Sequence, residues 1–282
     1  MALSILNNIP SLVAEDQLNS TQTNLQKTLY QLASGSRINS GADDAAGLAI
    51  ADSLQANTTA LTQSEQNANN GVGMLQVADG ALSQVTSLLN RAVTLATEAS
   101  TDTVNSTQRD ALNAEFTSIK QEITNIGTDT TFNNSSVFTG STTSIFMSDA
   151  NSAANSVVSF SLGTLGATNT TNLIGTVDIH ADSLAGTDGS SATTALSDIN
   201  SAIAQVASMR GTVGANINQL QAANNVMATQ VQNLTSAQSD ITSADIASDV
   251  SNMSKYNILE QTGMAALAQA NSAQQAVLKL LG

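Results

Sequence analysis

Leu54, Leu61, Ala68, Leu75, Leu82, Leu89 and Ala96 recur every seven residues, and Gly71, Ala78, Val85 and Ala92 add a second column beside them. Two apolar columns at that period form a narrow stripe on a helix, the seam of a coiled coil, and the Ala and Gly positions let a partner come close. The spacing predicts one helix over 54–96, about 65 Å long at 1.5 Å per residue. A third helix is predicted over 107–126, where Leu112, Phe116, Ile119, Ile123 and Ile126 alternate steps of four and three. Thr107 is placed to cap it, Asp110 to accept in return, and Gly127 to end it. The longest seam runs over 196–234, from Leu196 through Ile203, Arg210, Ile217 and Asn224 to Leu234. Its two polar members, Arg210 and Asn224, cost stability but fix register.

The ends are sparser. Leu18, Leu25, Leu29 and Leu32 line one face near the start, with Leu3, Leu6 and Val13 ahead of them. Near the finish the grid runs through Ile246, Val250, Met253, Asn257, Glu260, Met264, Leu267, Asn271, Gln274, Leu278 and Leu281, four of them polar. Helices so thinly apolar are marginal until another surface covers them. Between about 128 and 192 the period changes to two. "SVVSFSLGTL", "TTSIFMSD" and "IGTVDIHADSL" alternate apolar with hydroxyl or polar residues and predict short strands or hairpins.

Composition narrows the partners. Aromatic residues make up 2% and Pro occurs once, as suits long helices in close contact rather than a compact enzyme. A net charge of −14 leaves no basic patch for nucleic acid or an anionic membrane surface. No apolar run reaches the roughly 18 residues needed to span a bilayer. "MALSILNNIPSLVAEDQL" does not read as an ordinary signal peptide, because it carries no Lys or Arg and Asn7, Asn8 and Pro10 break its apolar run. Without cysteine there are no disulfides and no thiol chemistry.

"LASGSRINSGADDAAGLAIADSL", "LLNRAVTLATEAS", "TFNNSSVF" and "DVSNMSKYNILEQTGMAALAQANSAQQAVLKLLG" are long strings in a fixed order toward both ends. In these the chain resembles a bacterial flagellin along nearly its whole length. The resemblance implies a filament subunit exported unfolded through the flagellar type III apparatus, secreted, and serving motility. It further implies an export chaperone and the filament cap and junction proteins as partners. The 128–192 segment leaves little room for the outer domains that many members carry.

Asp43 and Asp44 read as helix-start residues rather than as a metal or acid–base pair, since only Asp52 stands nearby as a further ligand. Gly47, with Ala45 and Ala46, is expected to admit the backbone of a neighbouring subunit. Gly35 and Gly41 supply the loop between the terminal helix and the 54–96 helix. Leu89, Arg91 and Glu115 match positions by which many flagellins engage an innate immune receptor of the Toll-like class. The plainer reading makes Leu89 a seam residue and the other two solvated or inter-subunit charges. Val93, standing where stimulating members often carry a second Arg, favours that plainer reading. His180 is the only histidine, so an HExxH protease site is excluded, and no GxSxG elbow supports a Ser-His-Asp triad. "NSS" at 134–136 and "NTT" at 169–171 fit the N-glycosylation pattern, which carries little weight in a bacterial chain; of the two modifications, O-glycosylation of the abundant exposed hydroxyls fits such a chain better.

The expected fold is mainly α: a long antiparallel helical coiled-coil bundle with terminal helices and a small β-hairpin insert, without large outer domains. The resemblance implies that residues 1–43 form an N-terminal inner-tube segment, 44–235 a helical rod domain with a β-rich insert at about 128–192, and 236–282 a C-terminal inner-tube helix. Assembly should rest on Leu18, Leu25, Leu29, Leu32, Asp43, Asp44, Gly47, Val250, Met253, Met264, Leu267, Leu278 and Leu281. The function expected from the resemblance is that of a self-assembling flagellar filament subunit, with no catalysis and no cofactor. A hook–filament junction protein is the nearer alternative and a chemoreceptor-type signalling coiled coil the more distant one.

Overall fold

A computed structural model describes residues 8–148, 157–165, 179 and 182–281, with side chains as far as 276. Five helices hold most of the chain: α1 (Ile9–Ser34), α2 (Ala45–Ala99), α3 (Ser106–Asp129), α4 (Ser190–Thr242) and α5 (Ile246–Leu281). The chain divides into two compact units, one built from its two ends (through Ala56, and from Asn233) and one from Asn57–Gln232.

In the central unit the seven-residue columns of α2 are the core. Leu61, Leu75, Leu82, Leu89 and Ala96 are buried, as are Gly71, Ala78, Val85 and Ala92. Arg210 of α4 forms a bidentate pair with Asp79 of α2 (Nε–Oδ1 2.8 Å), and the Asn224 amide donates to Asn69 Oδ1 at 2.9 Å. Residue numbers rise on one helix as they fall on the other, so the two run antiparallel. Both polar seam residues therefore meet a polar partner on α2, at fixed register. The fully buried line of α4 passes through Ala195, Ala202 and Met209, one position before Leu196, Ile203 and Arg210, which are half-buried.

The start of α3 differs from the expectation. Asn105, not Thr107, is the cap: its Oδ1 accepts the Gln108 N–H at 2.9 Å while Gln108 Oε1 accepts the Asn105 N–H at 3.0 Å. Asn in an extended conformation reaches the third helical N–H as well as Thr does. Gly127 does not end the helix either. It lies inside α3, where a Cβ would collide with the Leu165 carbonyl.

The insert holds two small antiparallel pairs. β1 (Thr131–Phe132) and β2 (Ser135–Ser136) join through Asn133 and Asn134, both at positive φ (49° and 62°), the arrangement of a tight type I′ hairpin. β3 (Thr142–Phe146) pairs with β4 (Val157–Ser161) from Thr142↔Ser161 to Phe146↔Val157. Period two is visible in β4, where Val158 and Phe160 are buried between exposed neighbours. In "IGTVDIHADSL" the described residues, Ile179 and 182–184, are irregular rather than stranded. His180 and "NTT" at 169–171 lie outside the described residues.

Two buried cations, Arg109 and Lys120, hold the return of the chain toward α4. The Arg109 guanidinium donates to the carbonyls of Ala99, Thr101 and Thr187 (2.8, 3.0 and 3.2 Å), and Lys120 Nζ to that of Asp182 at 2.6 Å. Between them Asn113 Oδ1 accepts the Leu184 N–H at 2.9 Å.

Candidate functional site

The unit formed by the chain ends is a pair of helices with few buried side chains. Asn8 starts α1 by accepting the Ser11 N–H at 3.2 Å, and Pro10 in the first turn needs no N–H partner. Gly35, left-handed at φ 69°, stops it and returns its N–H to Gln31 O. α5 begins beside Asp245, whose Oδ1 accepts the Ser248 N–H at 3.1 Å.

The inner face of α1 runs Leu18, Thr21, Leu25, Thr28, Leu32, in steps of three and four, with both threonines buried. A buried Thr is tolerated because its hydroxyl is spent on its own helix: Thr21 donates to Gln17 O (2.8 Å) and Thr28 to Asn24 O (3.0 Å), leaving the methyls to face the partner. Leu29 falls one position off this line and is 47% exposed. It does not join the face with Leu18, Leu25 and Leu32.

On α5 the half-buried line is Met253, Tyr256, Glu260, Gly263, Leu267, Ala270 and Gln274. One predicted column, Met253–Glu260–Leu267–Gln274, faces inward. The other does not: Tyr256, Gly263 and Ala270 take the places expected for Asn257, Met264 and Asn271. Val250 and Met264 are consequently exposed, at 44% and 51%. Leu18 packs onto Gly263 on this line, its Cδ1 3.3 Å from where a Cβ would be. Leu278 and Leu281 lie outside the described side chains, and Leu3 and Leu6 outside the described residues.

Polar ties set the pairing as antiparallel. Asn8 Nδ2 donates to Ala270 O at 3.3 Å, Ser11 Oγ to Asn271 Oδ1 at 3.0 Å, and Gln22 Nε2 to Glu260 Oε1 at 3.3 Å. None of the described α5 side chains is fully buried. The outer faces instead carry Ile9, Leu12, Val13, Leu29, Tyr30, Ile258, Leu259 and Met264, all at least 40% exposed. Each of these is a large apolar side chain left in solvent by the pairing of α1 with α5.

Asp43 and Asp44 sit at the joint between α1 and α2 and divide the work. Asp44 Oδ1 accepts the Gly47 N–H at 2.8 Å and starts α2. Asp43 does not cap. It pairs with Lys27 of α1 at 2.7 Å and accepts the N–H groups of Asn39 and Ser40 at 3.2 and 3.1 Å. The bond from Lys27, first, and those from the loop hold its carboxyl down at about 2. Gly47 is buried against its own chain: a Cβ there would overlap Asp44 Oδ2 and Ile38 Cδ1. Its small size serves this turn.

The trio in the central unit separates as well. Leu89 is fully buried, so it belongs to the seam and takes no part in any outward contact of the folded subunit. Arg91 and Glu115 form a bidentate pair across α2 and α3 (2.7 and 3.0 Å) with about half of each side chain exposed. The pairing raises the guanidinium and lowers the carboxyl relative to their usual ranges.

The family model for the bacterial flagellin N-terminal helical region matches residues 5–143, and that for the C-terminal helical region matches 196–281. A flagellin of Halalkalibacterium halodurans is 33% identical over 98% of this chain and 99% of its own length. A flagellin of Bacillus subtilis is 31% identical over 99% of this chain and all of its own. The flagellar filament 30.7 kDa core protein of Treponema maltophilum is 30% identical, covering 98% and 99%.

Proposed function

The chain belongs to the bacterial flagellin family, and we propose on that premise that it is a structural subunit which self-assembles into the extracellular flagellar filament. The observation that carries this is the outer face of the α1–α5 pair, where Leu12, Val13, Ile258, Leu259 and Met264 stand in solvent. Burying one such side chain contributes about 1.5–3 kcal/mol. Identical copies around each pair supply the cover that the helices cannot give each other. In the central unit the seam leucines are already at or near zero exposure.

In this reading residues 1–43 and 236–282 form the inner part of the filament wall and 44–235 the helical domain outside it. Leu18, Leu25, Leu32, Met253 and Leu267 join the two end helices within a subunit; Leu29, Val250 and Met264 meet neighbours. The same apolar ends suit an export chaperone before assembly and the cap and junction proteins at filament ends. The role is structural, without catalysis or cofactor. The relatives are named flagellins and filament core proteins, which disfavours the junction-protein alternative.

Seeded elongation tests the reading. Purified full-length chain added to filament fragments is expected to lengthen them in electron micrographs, and chain lacking 241–282 is expected to stay soluble. Normal filaments from the truncated chain would contradict it.

A further inference from the structure

Two breaks in the chain, 35–44 between α1 and α2 and 243–245 between α4 and α5, face each other and are stitched by backbone. The Arg37 N–H donates to Thr242 O at 2.7 Å and the Ala244 N–H to Gly35 O at 3.1 Å, with Ser36 and Ser243 forming a β-bridge. The Arg37 guanidinium adds a bond to Ile241 O at 2.9 Å. Residues 35–37, just past α1, are thereby fastened to the last residues of α4 and to the turn that leads into α5. The turn leading into α2 is fastened differently. Ile38 packs on Gly47, and Asp44 caps α2, so the turn is anchored on the first turn of α2. Between this turn and α1 lies an open cleft of about 360 Å³, bordered by Thr23, Lys27, Tyr30, Asn39 and Asp43. Across the cleft the Lys27–Asp43 ion pair ties α1 to this turn, and Asp43 also accepts the Asn39 and Ser40 N–H groups. Nearer the stitch, Ser36 Oγ donates to Ile38 O at 2.8 Å and Asn39 Nδ2 to Ser36 O at 3.0 Å.

We propose that Lys27–Asp43 is a latch between α1 and the turn before α2, which opens while the Gly35–Ala244 stitch keeps α1 and α5 together as one body. The device lets the terminal pair adjust its direction against the first turns of α2, without separating its own helices, as neighbours close around it. Only the purpose of the latch rests on the filament reading; its geometry lies within one chain.

Hydrogen exchange with residue resolution, on filaments grown from the full chain, separates latch from stitch. In Lys27→Met the amides of Asn39 and Ser40 are expected to exchange about threefold faster, the scale of an exposed ion pair, and in Asp43→Asn faster still. The Arg37 and Ala244 amides stay as in the parent, and Lys27→Arg restores the parent rates. Unchanged rates at Asn39 and Ser40 in Lys27→Met would overturn the latch. Equal acceleration at Arg37 and Ala244 would overturn the independence of the stitch. Failure to elongate seeds would count against the filament reading alone, and the same comparison is then made on the soluble chain.

Discussion

Leu18 of α1 rests on Gly263 of α5, its Cδ1 3.3 Å from the point a Cβ would occupy. Gly263 thus lies on the inward line of α5, and Met264, one position on, is left 51% exposed. Gly263→Ala adds a methyl that the tip of Leu18 evades by a few tenths of an ångström, while the helix gains about 1 kcal/mol. Filaments of this variant are expected to melt no lower than the parent. Gly263→Leu overpacks the same point at a cost of about 1–3 kcal/mol and is expected to lower the melting temperature by circular dichroism. An unchanged melt for the leucine variant would contradict the packing.

Leu89 and Arg91 are two residues apart in sequence but differ in consequence. Leu89→Ala is expected to destabilise the central unit by about 2–5 kcal/mol in urea unfolding, because the cavity forms in a closed core. Arg91→Ala breaks a half-exposed, solvent-screened pair and is expected to leave the urea midpoint close to that of the parent.

Arg109 is 2% exposed and serves three carbonyls at once. Arg109→Met fills similar space but leaves those acceptors without their donor, at about 3 kcal/mol or more by the same measurement. A neutral result would mean that other donors replace the guanidinium.

Asp43 gives the joint a pH dependence of definite sign. Its carboxyl is lowered from 3.8 to about 2 in the folded chain, so its contribution is complete above the ordinary value and disappears as pH falls from there toward 2. Asp43→Asn filaments should therefore melt below the parent at pH 5 to 7, and the two should converge at about pH 2. A difference that persists undiminished at pH 2 would assign the effect to another group.

The central unit was the more legible part in sequence, because a dense column of Leu and Ala at period seven determines the buried face. Arg210 and Asn224 could be read as register-setting, and Asp79 and Asn69 stand opposite to receive them. The end pair was half legible. An apolar count selects Leu29 and Met264, whereas the fold selects Thr21, Thr28 and Gly263: a self-satisfied hydroxyl and a missing side chain pack more closely than a leucine would there. Alternating spacing of the threonines at 21 and 28 between Leu18, Leu25 and Leu32 was the signal available. Asp43 read as a helix-start residue because its partner Lys27 lies on another element, which local spacing does not reveal. Arg109 and Lys120 were invisible because their acceptors are backbone carbonyls outside their own helix, which residue spacing does not mark.

The account turns on apolar faces at the chain ends that only other copies cover. Amide hydrogen exchange, compared between dilute soluble chain and filaments, tests this most directly. It predicts at least hundredfold slower exchange in filaments for 9–34 and 246–276, with the cores of α2, α3 and α4 within 57–232 nearly unchanged. Equal protection of the end helices in the lone chain and in the filament would contradict it.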